Sequence, residues 1–227
     1  MAPAIVTLTT DFGLSSGYVG AMKGVILGIN PDVTLVDISH DIPPQDIPYA
    51  AFVLGTSYRF FPPETIHVAV VDPQVGTERR ALLVDTPEGR FIAPDNGLLT
   101  YVLHEIFSRF GSERPDGDGE GFLEPSSVSV PKGCSAYALT QPEYWRHPVS
   151  DTFHGRDIFA PVAAHLCRGV RPEEMGEAVG EVTALDERTV ERRPGVVEGR
   201  IVFVDHFGNL VSNIRTGDDN AAYMEVD

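Results

Sequence analysis

Residues 65–80 read TIHVAVVDPQVGTERR. The first seven, Thr65 to Val71, are nearly all apolar. A run that short, without alternation, predicts a strand buried on both faces, as in a parallel sheet covered by helices. Polar residues begin abruptly at Asp72-Pro73 and continue to Arg79-Arg80. In open α/β sheets ligands collect at the carboxyl ends of strands, so this junction sets both the fold class and the first candidate site.

Working outward, Ala4 to Thr9 is a short β-branched run ending in Thr10-Asp11-Phe12-Gly13. Tyr18 to Ile29 has helical spacing at Val19, Met22, Val25, Ile26 and Ile29, and Asn30-Pro31 stops it. Val33 to Ile38 reads as a strand, and Pro48 to Tyr58 as a helix with Ala51, Leu54 and Tyr58 on one face. Downstream, Ala81 to Thr86 and Arg90 to Ala93 read as strands around the turn Pro87-Glu88-Gly89. Leu98 to Phe107 and Ile158 to Cys167 read as helices, and regular structure returns near Tyr137. Strands alternating with helices indicate an α/β domain, with a mostly parallel sheet flanked by helices.

Residues 111–133 are rich in Gly, Pro, Ser, Asp and Glu and read as an exposed insertion. Glu187 to Gly195 is charged and ends in Pro194-Gly195, a domain boundary by composition. Beyond it, Gly199 to Val204 and Leu210 to Ile214 read as strands. The expected organisation is therefore an α/β domain over 1–194 and a short β-rich domain over 195–227. There is no internal repeat.

The chain has 227 residues, 42% hydrophobic and 22% charged, enough to bury a core. No apolar run approaches the ~20 residues of a membrane helix. The start reads as a strand and not as a signal peptide, which makes the cytoplasm the expected location. The formal charge is −16, from 33 acidic and 17 basic residues. Such a surface repels phosphate backbones and anionic lipids, which argues against nucleic-acid and membrane partners. Lysine occurs only at Lys23 and Lys132, a balance resembling proteins of a salty cytoplasm. Cys134 and Cys167 form no CxxC pair, so no zinc or redox motif is expected.

Four polar segments follow strands or lead into helices: 10–13, 72–80, Pro94-Asp95-Asn96-Gly97, and Thr152-Phe153-His154-Gly155-Arg156-Asp157. Each has a structural reading. Asp11 could cap a helix, Pro94 to Gly97 is a good turn, and Asp157 could balance its helix start. Together they indicate a small-molecule site with carboxylates, an arginine and a histidine. Asp-Phe-Gly and His-Gly-Arg-Asp also occur in protein-kinase loops, but the order is wrong and no glycine-rich phosphate loop or strand lysine precedes them. There is no Walker loop and no GxGxxG.

TDFG at 10–13, VVDPQVGTERR at 70–80, APDNGLLT at 93–100, TFHGRDIFAPVAAHL at 152–166 and VDHFGNLVSNI at 204–214 together resemble the S-adenosylmethionine hydroxide adenosyltransferase family, over about residues 4–214. The resemblance implies hydrolysis of S-adenosyl-L-methionine to adenosine and L-methionine, with that molecule as substrate and no cofactor or metal. It implies a catalytic trio at Asp72, Arg79 and His154. It implies substrate binding by Asp11 at the ribose hydroxyls, by Asn96 and Thr152, and by Asp205, Phe207 and Asn209 from the second domain. It also implies a small β-barrel as that domain, and a homotrimer with sites between subunits. The related fluorinating and chlorinating enzymes are not expected to carry the trio, and the compact path from Arg90 to Thr100 leaves no room for the extra loop of the fluorinating ones.

Two departures stand out. Gln74 occupies a position usually held by glycine, where positive φ would strain the loop carrying Asp72. Family members also continue for several strands beyond the segment matching 209–214, so the barrel is expected to be truncated. Competing readings are a non-catalytic module binding S-adenosylmethionine or adenosine, a metal-dependent hydrolase using Asp11, Asp72, Asp95 and His154, and a halogenase.

Overall fold

In a computed structural model, which describes residues 3–110, 125–186 and 191–214, the chain opens with β1 (Ile5–Thr10), α1 (Tyr18–Ile29), β2 (Thr34–Ser39), α2 (Ile47–Ser57) and β3 (Ile66–Val70). β4 (Ala81–Thr86), β5 (Gly89–Pro94) and α3 (Thr100–Phe110) follow. Then come β6 (Pro125–Ser129), β7 (Ser135–Leu139), a π-helical turn at Gly155–Phe159 running into α4 (Ala160–Cys167), β8 (Gly176–Val179) and β9 (Glu181–Leu185). Two short hairpins end the described chain: β10 (Glu191–Arg193) with β11 (Val196–Glu198), and β12 (Ile201–Val204) with β13 (Leu210–Ser212).

Seven strands form one sheet in the order β2-β1-β3-β5-β4-β7-β8. β2, β1, β3 and β5 pair in parallel, whereas β4 is antiparallel to both its neighbours and β8 to β7. β2, β1, β3, β5 and β7 therefore point one way and β4 and β8 the other, so the sheet is mostly parallel in strand direction. All five residues of β3 are buried, as the uninterrupted apolar run predicts. Val6, Leu8, Val68 and Val70 face Met22 and Ile26 of α1 and Ala163 and Leu166 of α4. Ala69, Val71, Phe91 and Ala93 face Leu54 of α2 and Val102, Leu103 and Ile106 of α3. Each large apolar side chain so buried contributes roughly 1.5–3 kcal/mol.

Helix ends follow local chemistry. Asp46 caps α2 by accepting from the Tyr49 backbone N–H at 2.9 Å, with Pro48 in the first turn. α3 starts at Thr100, two residues after the reading from periodicity. Thr100 Oγ1 donates to the Gly97 carbonyl at 2.6 Å and accepts from the Leu185 N–H at 2.7 Å, which ties the start of α3 to β9.

The segment read as an insertion ends in structure. β6 lies within it and pairs along its whole length with β9, burying Val128. Four polar or turn-forming residues around one valine hid this strand from the composition. Residues 111–124 lie outside the described residues. Pro194-Gly195 forms the turn of the β10–β11 hairpin. Phe203 of β12 stacks on Phe52 and packs against Tyr49, with centroids 4.6 and 4.7 Å apart, seating the last hairpin on α2. Among the described residues, β10 to β13 form two-stranded pairs and no closed barrel. None of the described helices is long and apolar enough to cross a membrane.

His67 lies inside this core. It is fully buried, stacks on Phe91 at 4.9 Å, and its Nδ1 lies 2.8 Å from Thr7 Oγ1. Burial pushes its pKa down to about 4. The folded ring stays neutral where an unfolded chain binds a proton, near pH 6.5. Stability is therefore lost as pH falls from about 6.5 through about 4, on the order of 3 kcal/mol in total. Urea unfolding at pH 7 and pH 4.5 checks this. His67→Asn, which keeps an acceptor near the Nδ1 position, is expected to show a smaller loss between the two pH values than the parent. Equal losses in parent and variant would remove His67 as the cause.

Candidate functional site

The parallel half of the sheet places three loops at one edge. Thr10 of β1 pairs with Val70 of β3, and Val68 pairs with Ile92 of β5. Neighbouring strands lie about 4.8 Å apart. Asp11, Asp72 and Asn96, just beyond these strand ends, therefore share one rim. Asn96 binds the rim together: its Nδ2 donates to the Val71 carbonyl at 2.9 Å and its Oδ1 accepts from the Leu98 N–H at 3.2 Å.

The loop after β3 turns back tightly. Gln74 does not adopt positive φ; among the described non-glycine residues only Gln45 does. The strain expected at Gln74 is absent, and its carbonyl accepts from the Thr77 hydroxyl at 2.8 Å. The demanding position is Gly76, with φ +79°. A Cβ there would lie 2.3 Å from the Asp151 carbonyl oxygen. The loop carrying Asp72 and Arg79 thus touches, backbone to backbone, the loop carrying His154.

That contact assembles the trio. Arg79 Nε donates to Asp72 Oδ1 at 3.0 Å and Oδ2 at 2.8 Å, and Nη2 also reaches Oδ2. The two side chains are only 5% and 4% exposed, so the pair is largely removed from water. Arg79 Nη2 also lies 2.8 Å from His154 Nδ1. A guanidinium can only donate, so His154 Nδ1 must accept and the neutral ring carries its proton on Nε2. Burial lowers the His154 pKa first, and the Arg79 charge adds to it.

Asp157 anchors the loop that presents His154. Its carboxylate is fully buried and accepts from Arg156 Nε at 2.7 Å, Arg146 Nη1 at 3.1 Å and the Ser150 N–H at 2.9 Å. These bonds hold its pKa down against burial, which pushes it up. Asp157 is thus an internal clamp across residues 146–157. From the sequence it reads as a helix-start charge; Arg156 beside it and Arg146 eleven residues earlier are the available signal. Thr152 is exposed, its hydroxyl 3.3 Å from Ser150 Oγ. Phe12, Tyr18 and Phe153 pack edge to face beside it, with centroids 5.1–6.0 Å apart.

The other predicted residues fall elsewhere. Asp11 Oδ2 accepts from the Gln45 N–H at 2.8 Å. Asp205, Phe207 and Asn209 form one turn between β12 and β13. Asp205 Oδ1 accepts from the Phe207 and Asn209 N–H groups at 2.9 and 2.8 Å, and Oδ2 from Asn209 Nδ2 at 2.6 Å. The Asn209 side chain is the largest influence lowering the Asp205 pKa. Phe207 is 87% exposed. The structure gathers Asp72, Arg79 and His154, sets Asp11 and Asn96 on the same rim, and holds the last three on an exposed turn. Asp95 is bound by Arg80 Nε at 2.7 Å and the Thr183 N–H at 2.7 Å. Among the described residues, no three His, Cys, Asp or Glu side chains converge on a point that could hold a metal ion.

Residues 6–113 and 117–176 match the SAM hydroxide adenosyltransferase N-terminal domain. The chain is 37% identical to an (R)-S-adenosyl-L-methionine hydrolase of Methanocaldococcus jannaschii, covering 98% of this chain and 71% of that protein. It is 30% identical to a fluorinase of Actinoplanes sp., covering 94% of this chain and 72% of that protein. A crystal structure of an uncharacterized conserved protein from Thermotoga maritima superposes with a TM-score of 0.76 at 37% identity, covering 92% of this chain and 71% of the other.

Gly76→Ala places a methyl against the Asp151 carbonyl at a left-handed backbone position. The expected cost is about 2–4 kcal/mol of unfolding free energy, from backbone strain and crowding together. Urea denaturation measures it, and a change below about 0.5 kcal/mol would mean the two loops are not in contact.

Proposed function

This chain belongs to the S-adenosylmethionine (SAM) hydroxide adenosyltransferase family, and from that membership we propose that it hydrolyses S-adenosyl-L-methionine to adenosine and L-methionine by in-line attack on ribose C5′. The observation that carries the reading is the buried Asp72–Arg79 pair at the rim of the parallel strands, with half-buried His154 against it. Water or hydroxide supplies the new O–C5′ bond. The C5′–S bond breaks, its electron pair neutralises the sulfonium, and the proton from water is released. Sulfonium leaves readily, so no general acid is needed. The task is to place and activate the nucleophile, and positioning alone is worth roughly 7–11 kcal/mol when geometry is ideal.

The cluster suits that task. His154 Nε2–H donates to the nucleophilic oxygen. Its Nδ1 is engaged by Arg79, which leaves the ring no free lone pair with which to take a proton. His154 therefore orients water or hydroxide and is not the base. Asp72 Oδ1, with a lone pair beyond its bond from Arg79, accepts a hydrogen bond from the incoming water. Arg79 fixes the Asp72 carboxylate through its Nε and Nη2 contacts and favours hydroxide by its charge.

Asp11 takes the ribose diol, and Asn96 and Thr152 make further substrate contacts. Asp205, Asn209 and the exposed Phe207 reach the site of a neighbouring subunit in a homotrimer. The strands after residue 195 belong to a small barrel, and the acidic surface suits a salty cytoplasm. No metal or cofactor takes part.

The test is incubation with S-adenosyl-L-methionine of each sulfonium configuration, without metal, in low and high salt. Equal amounts of adenosine and methionine are expected. A halide-dependent 5′-halo-nucleoside would make the chain a halogenase, and binding without turnover would make it a binding module. Asp72→Ala and His154→Ala are each expected to lower kcat about 10²–10⁴-fold with folding retained; near-parental rates in both would discard the trio.

The acid limb of kcat/KM should lie below the ordinary histidine value of about 6.5. The lowered pKa keeps His154 neutral as pH falls, and activity is lost only when Nδ1 is protonated against Arg79. A limb above 6.5 would contradict this arrangement.

A further inference from the structure

Behind the rim, a chain of polar groups runs from the surface at Lys23 and Asp37 to buried His40 and Thr10, and reaches the loop that carries Asp11. His40 follows β2 and is 4% exposed; Thr10 ends β1 and is fully buried. Thr10 Oγ1 and His40 Nδ1 are 2.8 Å apart. On the other side of the ring, His40 Nε2 lies 3.1 Å from Asp37 Oδ1, within ion-pair distance though not in line for a good hydrogen bond. Lys23 Nζ, from α1, donates to Asp37 Oδ2 at 2.6 Å.

A carboxylate beside Nε2 favours the proton on that nitrogen, so Nδ1 is the acceptor and the Thr10 hydroxyl donates to it. Thr10 Oγ1 in turn accepts from the Phe12 N–H at 3.3 Å. The Gly13 N–H donates to the His40 carbonyl at 2.9 Å. His40 thus grips the 10–13 loop twice, through its ring at Thr10 and through its backbone at Gly13. Asp11 lies between those anchors, beside Phe12, and on its far side it accepts from the Gln45 backbone N–H at 2.8 Å.

We propose that His40 is a positioning residue: through Thr10 it fixes the loop so that Asp11 presents its carboxylate to the ribose diol. The proposal rests on the hydrolase reading for Asp11. A purely structural histidine would need only to fill its cavity. A positioning histidine needs an acceptor at the Nδ1 point. An asparagine places its Oδ1 near Nδ1, whereas a glutamine reaches toward Nε2, so the two substitutions separate the roles.

The experiment measures adenosine affinity by calorimetry, KM and kcat with S-adenosyl-L-methionine, and thermal unfolding for Thr10→Val, Thr10→Ser, His40→Asn, His40→Gln and the double Thr10→Val/His40→Gln variant. Thr10→Val and His40→Gln are expected to raise KM and the adenosine Kd about tenfold, with kcat changed less than about threefold, because the diol contact is made equally in ground and transition states. His40→Asn and Thr10→Ser should stay within about threefold of the parent. The double variant should be no worse than the weaker single one, as for two members of one chain. Equal effects of Asn and Gln at position 40, or a parental KM in folded Thr10→Val, would overturn the proposal. So would loss of folding in both Thr10→Val and His40→Gln, which would assign the pair to stability. A parent that neither turns over nor binds adenosine would instead defeat the hydrolase reading, and with it the role of Asp11.

Discussion

The ion pair between Arg79 and Asp72 is the constraint around which the site is arranged. Both side chains are almost wholly withdrawn from water. Desolvating two charges costs several kcal/mol each, and only near-ideal geometry with further hydrogen bonds offsets it. The bidentate contact supplies the geometry. The second Nη2–H also needs an acceptor, and His154 Nδ1 is that acceptor. The protonation state of the histidine, the approach of its loop and the glycine at position 76 all follow from satisfying one buried arginine.

Much of this was legible in the chain. The apolar run at 65–71 ends where chemistry begins, and the register of β1, β3 and β5 then brings the polar loops to one rim. That Asp72, Arg79 and His154 meet was legible from the family resemblance, whose motifs are specific. What sequence could not show was which partner each carboxylate would choose. Asp11, Asp72, Asp95 and Asp157 all follow strands or precede helices. In the folded chain one meets a backbone N–H, one the Arg79 guanidinium, one Arg80 and a strand N–H, and one two arginines at once. Those choices depend on contacts between residues up to 88 positions apart.

Where sequence and structure differ, the causes are opposite. β6 is mostly Ser and Pro, and its strand identity comes from pairing with β9, more than fifty residues later. Composition sees the exposed side chains and not the backbone ladder. The concern over Gln74 failed for the opposite reason: a family habit was taken as a backbone requirement, whereas the requirement lies two residues on. Asn96 reads from sequence only as a ligand contact; in the fold its amide also ties the rim together, with one N–H on the Val71 carbonyl and Oδ1 accepting from the Leu98 N–H, which leaves a second N–H and a second lone pair for a ligand.

The bond between Arg79 and His154 also bears on self-preservation. A sulfonium is an alkylating agent, and imidazole is among the side chains it can alkylate. A lone pair that already accepts a guanidinium N–H is a poor nucleophile, and the other ring nitrogen carries a proton. The arrangement we assign to orienting water therefore also leaves the histidine chemically quiet, so that the electrophile is spent on solvent and not on the protein that holds it.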